Sequence, residues 1–141
     1  MLRTRDLSFF QTLGDGYLPG HLGLEILSID DGRLTARMPI ARHHLAPNGF
    51  LHAGGIVTLA DTAAGYATIG HLPEGASGFT TMELKSNFLG TALQGAIRAE
   101  ARALHLGGTT QVWDCTVTNE ENGRTIALFR CTQMILYPRA K

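Results

Sequence analysis

Polar and apolar positions alternate along Ala96–Leu106, with Ile97, Ala99, Ala101 and Ala103 on one side and Arg98, Glu100 and Arg102 on the other. That two-residue period predicts a half-buried strand. Similar extended segments are predicted over Thr80–Phe88, Thr109–Thr118 and Thr125–Leu136, with turns at Gly107-Gly108, joining Ala96–Leu106 to Thr109–Thr118, and at Glu121-Asn122-Gly123, joining that segment to Thr125–Leu136. Upstream, Leu22–Ile29 reads as a strand, Asp30-Asp31-Gly32 as a turn and Arg33–Ile40 as the returning strand. Residues 1–20 read as a loosely ordered lead-in with a short helix over Leu7–Leu13. Ala41–Leu51 reads as irregular chain turned sharply at Pro47-Asn48-Gly49.

The period changes once. From Gly54 to Ile69 the apolar positions Ile56, Leu59, Ala60, Ala63 and Ala67 recur at helical spacing, and Val57, Ala64 and Tyr66 extend the apolar surface nearly all round. Such a helix must be wrapped by sheet rather than laid on a surface, and its small residues let other backbone come close. The whole predicts one α+β domain over 1–141: a strand hairpin, a central buried helix and an antiparallel meander.

Between His43 and Pro73 the only charged side chain is Asp61, inside that helix. A carboxylate enters an apolar interior when it is paired or has chemical work to do, and the helix offers no Lys or Arg. Asp61 is therefore the leading catalytic candidate, its alternative being a buried carboxylate that caps a neighbouring loop. An apolar surround raises its pKa and its basicity. At the helix entrance the unpaired N–H groups near Ala53 and Gly54 can stabilise a developing oxyanion. His52, beside them, is assigned to positioning. Asp61 lies two turns further in, roughly 10 Å along the axis, so one helix cannot bring both groups onto one carbonyl carbon. A water or a substrate must span them, or a partner helix must supply one.

Composition narrows the rest. Lys plus Arg and Asp plus Glu are 12 each, which gives no basic stripe for nucleic acid. Only 17% of residues are charged, against roughly 25% in typical soluble domains, so part of the surface is expected to be covered in an oligomer. Cys115 and Cys131 fall inside predicted strands and read as small buried hydrophobes. His43, His44 and His52 lack zinc spacing, and no metal site is expected. The opening residues lack the apolar core of a signal peptide. Polar residues interrupt the low-charge stretch, so a cytoplasmic protein without a membrane span is expected.

Two stretches carry a resemblance: Asn48-Gly49-Phe50-Leu51-His52-Ala53-Gly54-Gly55 continuing to Leu59-Ala60-Asp61-Thr62-Ala63, and Ala99-Glu100-Ala101 with His105, Gly107, Thr109-Thr110 and Trp113-Asp114. Together they resemble hot-dog-fold acyl-CoA thioesterases of the PaaI-type (phenylacetate-pathway) branch, related to 4-hydroxybenzoyl-CoA thioesterase. The resemblance implies a long central helix wrapped by a curved antiparallel β-sheet. It also implies hydrolysis of an acyl- or aryl-CoA without a separate cofactor, CoA being part of the substrate. By it, Asp61 is the catalytic carboxylate, acting as general base or nucleophile. The Ala53 N–H polarises the thioester carbonyl, and Thr81 holds the attacking water from the neighbouring subunit of a homodimer or dimer of dimers. Gly107, Gly108 and Thr109 would border the CoA diphosphate, with Arg102, Arg139 and Lys141 as candidate phosphate partners. The sequence departs from the family's usual His-Gly-Gly at Ala53. It also has Ala46 where many relatives carry Asn or Gln, leaving Asn48 within reach of that place.

Two other classes compete. A hot-dog hydratase needs D-x-N-x-x-H or H-F-P, and neither string is present. A non-catalytic acyl or aromatic ligand binder gains nothing from a buried carboxylate at Asp61.

Overall fold

The computed structural model describes residues 1–4 and 6–139. Helices α1 (Leu7–Thr12) and α2 (Leu18–His21) lead into strands β1 (Glu25–Asp30) and β2 (Arg33–Pro39). A single 3-10 turn over Arg42–His44 precedes the long helix α3 (Ala53–Gly70), which is followed by β3 (Gly78–Phe88), β4 (Ala96–Leu106), β5 (Thr110–Asn119) and β6 (Thr125–Leu136).

The six strands form one antiparallel sheet in the order β1-β2-β4-β5-β6-β3. Consecutive β4, β5 and β6 make the expected meander, β2 pairs with β4, and β3 returns to the far edge beside β6. The inner face curves around α3. Ile56, Leu59, Ala60, Ala63 and Ala67, the residues at helical spacing, are all buried there against Leu34, Ala36, Ile97, Ala99, Ala101, Trp113 and Val117. Cys115 and Cys131 are buried free thiols on the same face.

Two expectations need correction. The first strand starts at Glu25 rather than Leu22. Leu18-Pro19-Gly20-His21 winds into a helical turn with proline at its start, and Gly23, at φ +74°, closes that turn before extended chain can begin. Nor is the lead-in loose. Asp6 caps α1, Phe10 is fully buried in the core, and the Arg3 N–H donates to Gly70 O at the end of α3. Lys141 lies outside the described residues.

One edge of the sheet, β1, is packed by α1. The other, β3, is open, and its residues Met82, Leu84 and Phe88 stay exposed together with Leu89 just beyond it. An open eleven-residue edge carrying apolar side chains is a surface that proteins ordinarily cover. No described helix is long and apolar enough to cross a membrane.

Candidate active site

The entrance of α3 is built by His52. It sits at the cap position with φ −68° and ψ 133°, and its Nδ1 accepts the Gly54 N–H at 2.8 Å. Gly55 N–H goes to His52 O at 3.0 Å. Among the described residues the Ala53 N–H has no partner, so it alone of these first donors points outward with the positive end of the helix behind it. Of the Ala53 and Gly54 N–H groups singled out in the sequence, only that of Ala53 is left without a partner among the described residues. Alanine is no strain here, since no described non-glycine residue has positive φ. The His52 ring caps the helix through the Gly54 N–H and leaves the Ala53 N–H untouched.

Asp61 lies on the face of α3 turned toward β6 and β3, on the side that also carries Gly65, where a Cβ would come 3.2 Å from Phe79. It is half-buried, and its Oδ1 is fully shielded yet has no hydrogen-bond partner among the described residues. Burial raises its pKa above the ordinary aspartate value, with no cation to offset the effect. The Cys131 thiol is pushed up to about 12, first by its own burial and then by the charge of Asp61, which marks how near the two stand.

Thr81 sits on β3 directly opposite Gln133 of β6, just before a bulge between Thr81 and Glu83. Its side chain shares the inner face of the sheet with Gln133 and Cys131, yet it is exposed because β3 is an open edge. Asn48 is exposed in the loop before the helix, and its Oδ1 accepts the Phe50 N–H at 3.2 Å, an Asx turn that shapes the loop.

At the opposite end of α3, Gly107 and Gly108 line a cleft of about 330 Å³ together with Arg3, His71, Leu106 and Gln111. The turn is tight: Gly107 N–H donates to Thr110 O at 2.9 Å, and the Tyr137 hydroxyl donates to Gly108 O at 2.5 Å. Thr109 follows Gly108 in that turn. Arg139, two residues beyond Tyr137, is exposed near the same corner. Arg102 is placed otherwise. Its Nε donates to Glu100 at 2.5 Å on the outer face of β4, and it lies five positions along the chain, roughly 17 Å, from Gly107. Arg3 is the cation that sequence reasoning missed at this cleft, because it lies in the segment read as a loose lead-in.

Ala53 and Asp61 are eight residues apart on one rigid helix, about 12 Å along its axis. Other sizeable clefts open on the outer face of the sheet, around Lys85, Asp114 and Arg130 and around Arg33 and Glu100. The described residues hold no cluster of side chains suited to a metal.

Residues 48–126 match the family model described as the thioesterase superfamily. The 1,4-dihydroxy-2-naphthoyl-CoA hydrolase of Escherichia coli is 33% identical, over 92% of this chain and 94% of its own length. A mutant of thioesterase PA1618 from Pseudomonas aeruginosa, a glutamine-to-alanine variant, superposes with a TM-score of 0.89 at 30% identity over 95% of this chain and 96% of that one. Thioesterase SAV0944 of Staphylococcus aureus, 26% identical, covers 84% of this chain and has been solved as a glutamine-to-alanine variant (TM-score 0.79, 97% of that chain) and a glutamate-to-alanine variant (0.80, 98%). The two substituted positions of SAV0944 are fifteen residues apart, the separation of Ala46 and Asp61 here.

Proposed function

This chain belongs to the thioesterase superfamily and is an acyl-CoA thioester hydrolase, and from that premise we propose how it cleaves its substrate. The thioester carbonyl oxygen binds at the Ala53 N–H, where the helix end stabilises the negative charge that develops. Asp61 acts as general base. It removes a proton from a water whose oxygen bonds to the carbonyl carbon, the C–S bond breaks, and CoA leaves as the thiolate with the free acid as the other product.

The single observation that carries this reading is the pairing of two unsatisfied groups on one helix, the outward Ala53 N–H and the shielded Asp61 Oδ1. A shielded oxygen such as Asp61 Oδ1 is rarely left without a partner, and the exposed Ala53 N–H is open to a ligand oxygen; thioester hydrolysis requires one group of each kind. The shared fifteen-residue separation supports Asp61 as the counterpart of a carboxylate that others chose to remove. Here the amide partner of that pair is replaced by Ala46, and Asn48 is engaged in its own loop turn.

Because 12 Å of rigid helix separates the two groups, the site is completed across a two-fold axis. A second copy docks along the open β3 edge and its apolar side chains. Two antiparallel α3 helices then bring Ala53 and Thr81 of one subunit beside Asp61 of the other. The same pairing sets the Gly107–Gly108 cleft, with Arg3 and Arg139, at the far end of the facing helix. There it receives the phosphates of CoA.

The test is release of free CoA thiol from a panel of aryl-, phenylacetyl- and aliphatic CoA thioesters, by wild type and by Asp61→Asn. Turnover of at least one thioester by the wild type, with a loss of at least about a hundredfold in the variant, is the expected result. Equal turnover by both removes Asp61 from the mechanism.

A further inference from the structure

Among the described residues four shielded side-chain polar atoms lack a partner: His44 Nε2, Asp61 Oδ1, Ser86 Oγ and Gln133 Oε1. Three of the four come from elements on one side of the core, α3, β3 and β6, with Ser86 opposite Phe129, four residues along β6 from Gln133. Asp61 comes from the helix, Ser86 from β3 and Gln133 from β6. Gln133 stands out, since it is completely buried in a sheet whose inner face is otherwise mostly apolar.

Its neighbour along the row shows what a settled glutamine looks like. Gln111, directly opposite on β5, is equally buried but fully used: Nε2 donates to His71 O at 2.8 Å and Oε1 accepts the Trp113 indole N–H at 3.1 Å. Gln133 has only a long contact from Nε2 to Cys131 Sγ at 3.4 Å. On its other side stands Thr81, paired with it across β3 and β6. Directly opposite residues of an antiparallel pair keep their Cβ atoms about 4.5–5.5 Å apart, within reach of a glutamine oxygen and a threonine hydroxyl. The bulge that follows Thr81 is the kind of irregularity that re-aims a side chain.

We propose that Gln133 is a positioning residue for Thr81: its Oε1 accepts the Thr81 hydroxyl hydrogen and so fixes which way that hydroxyl points. The inference deepens the reading above and rests on its assignment of a water-holding role to Thr81. A water under attack by a base has two hydrogens. One goes to the Asp61 carboxylate, and the other needs an acceptor if the oxygen lone pair is to face the carbonyl carbon. A threonine hydroxyl left to rotate competes with the water as a donor to that carboxylate. Once its own hydrogen is committed to Gln133, the Thr81 oxygen can only accept. A buried acceptor with no other partner is suited to that task.

The test is a double-mutant cycle on turnover of whichever thioester the wild type hydrolyses, using Gln133→Met, Thr81→Val and the pair, with melting curves as a folding control. Methionine matches the glutamine volume and removes an unsatisfied acceptor, so the sheet is expected to hold. Gln133→Leu repeats the arm if it does not. The expected result is a kcat lowered about tenfold by each single change, with KM within about twofold of wild type. The double variant should be no slower than Thr81→Val alone, and Gln133→Glu, which keeps an acceptor oxygen in either protonation state, should recover most of the lost kcat. Full activity in Gln133→Met or Gln133→Leu, additive losses in the double variant, or a change in KM alone overturns the inference and leaves the thioesterase reading standing. Full activity in Thr81→Val overturns the inference and the role of Thr81 together, while Asp61 is judged by its own substitution.

Discussion

The ring of His52 holds the amide of Gly54 at 2.8 Å. A cap of this kind can be kept or removed without touching the next donor, Ala53. Asparagine caps helices well and alanine does not. His52→Asn should therefore retain hydrolysis within a few-fold of wild type, whereas His52→Ala, which frees Gly54 to compete for the carbonyl oxygen, should lower kcat about tenfold. Loss of activity in the asparagine variant, measured by CoA release, would instead give the imidazole a direct part.

Asp61→Asn should stabilise the fold while abolishing activity. Burial raises the folded pKa of Asp61 above its unfolded value of about 3.9, so the native state holds the proton more tightly than the unfolded chain. Its contribution to stability is then greatest below the unfolded pKa and is lost as pH rises through the folded one. The variant should melt a few degrees above wild type at pH 7, with the gap closing as pH approaches 4. Melting curves at several pH values check this, and a variant that melts lower at pH 7 contradicts it.

Oxygen labelling separates general base from nucleophile. In a single turnover in ¹⁸O water with enzyme in excess, a general base delivers the label directly into the product acid. Direct attack by Asp61 would form a mixed anhydride and, on hydrolysis at the aspartyl carbonyl, leave the label on the protein. Mass spectrometry of the acid should show near-complete incorporation.

A shared site can be tested by complementation. Asp61→Asn mixed with Thr81→Ala, the first inactive and the second slowed about tenfold, should after verified subunit exchange yield mixed dimers with one intact site and about half the wild-type activity. If the mixture shows no more activity than its parents, Thr81 serves its own chain. Light scattering should likewise give at least a dimer of the 15.2 kDa chain at micromolar concentration.

His71 sets an acid limit on stability. It is buried at the end of α3, its Nε2 accepting the Gly32 N–H at 2.8 Å and its Nδ1 placed 2.7 Å from Ala67 O, which suits only the neutral ring. Burial lowers its folded pKa, so the stability it confers is complete above the unfolded value of about 6.5 and is lost as pH falls through the folded one. The denaturation midpoint should drop between pH 7.5 and 5.5 in wild type. It should drop less in His71→Gln, which starts from a lower value.

Much of this was legible in the chain. The bounds of β4 and β6 follow from alternation and turn residues, and α3 from five small or aliphatic positions at helical spacing. The isolation of Asp61 in the sequence matches its half-buried, cation-free place on α3. The residues that escaped are polar ones on inward positions. Gln133 shares its parity with Ala127, Phe129 and Cys131, so the alternation that places those three inside places it there too. A glutamine beside a threonine nevertheless reads as solvent-facing until the register is known. Arg3 and Phe10 escaped for another reason: their partners lie sixty residues away, and no local period records a contact over that span. The distance between Ala53 and Asp61 follows from helix geometry alone.

The seat of Phe10 has a consequence for how the molecule comes together. Its ring lies against Tyr66 and Gly70, and Leu2 also reaches Gly70. Part of the packing of this opening segment is therefore completed only when α3 is in place. The opening segment covers the C-terminal end of α3. A truncation or rigid fusion there would reach the far end of the same rod whose near end carries the Ala53 donor. In an expression experiment its symptom would be lost solubility before lost catalysis.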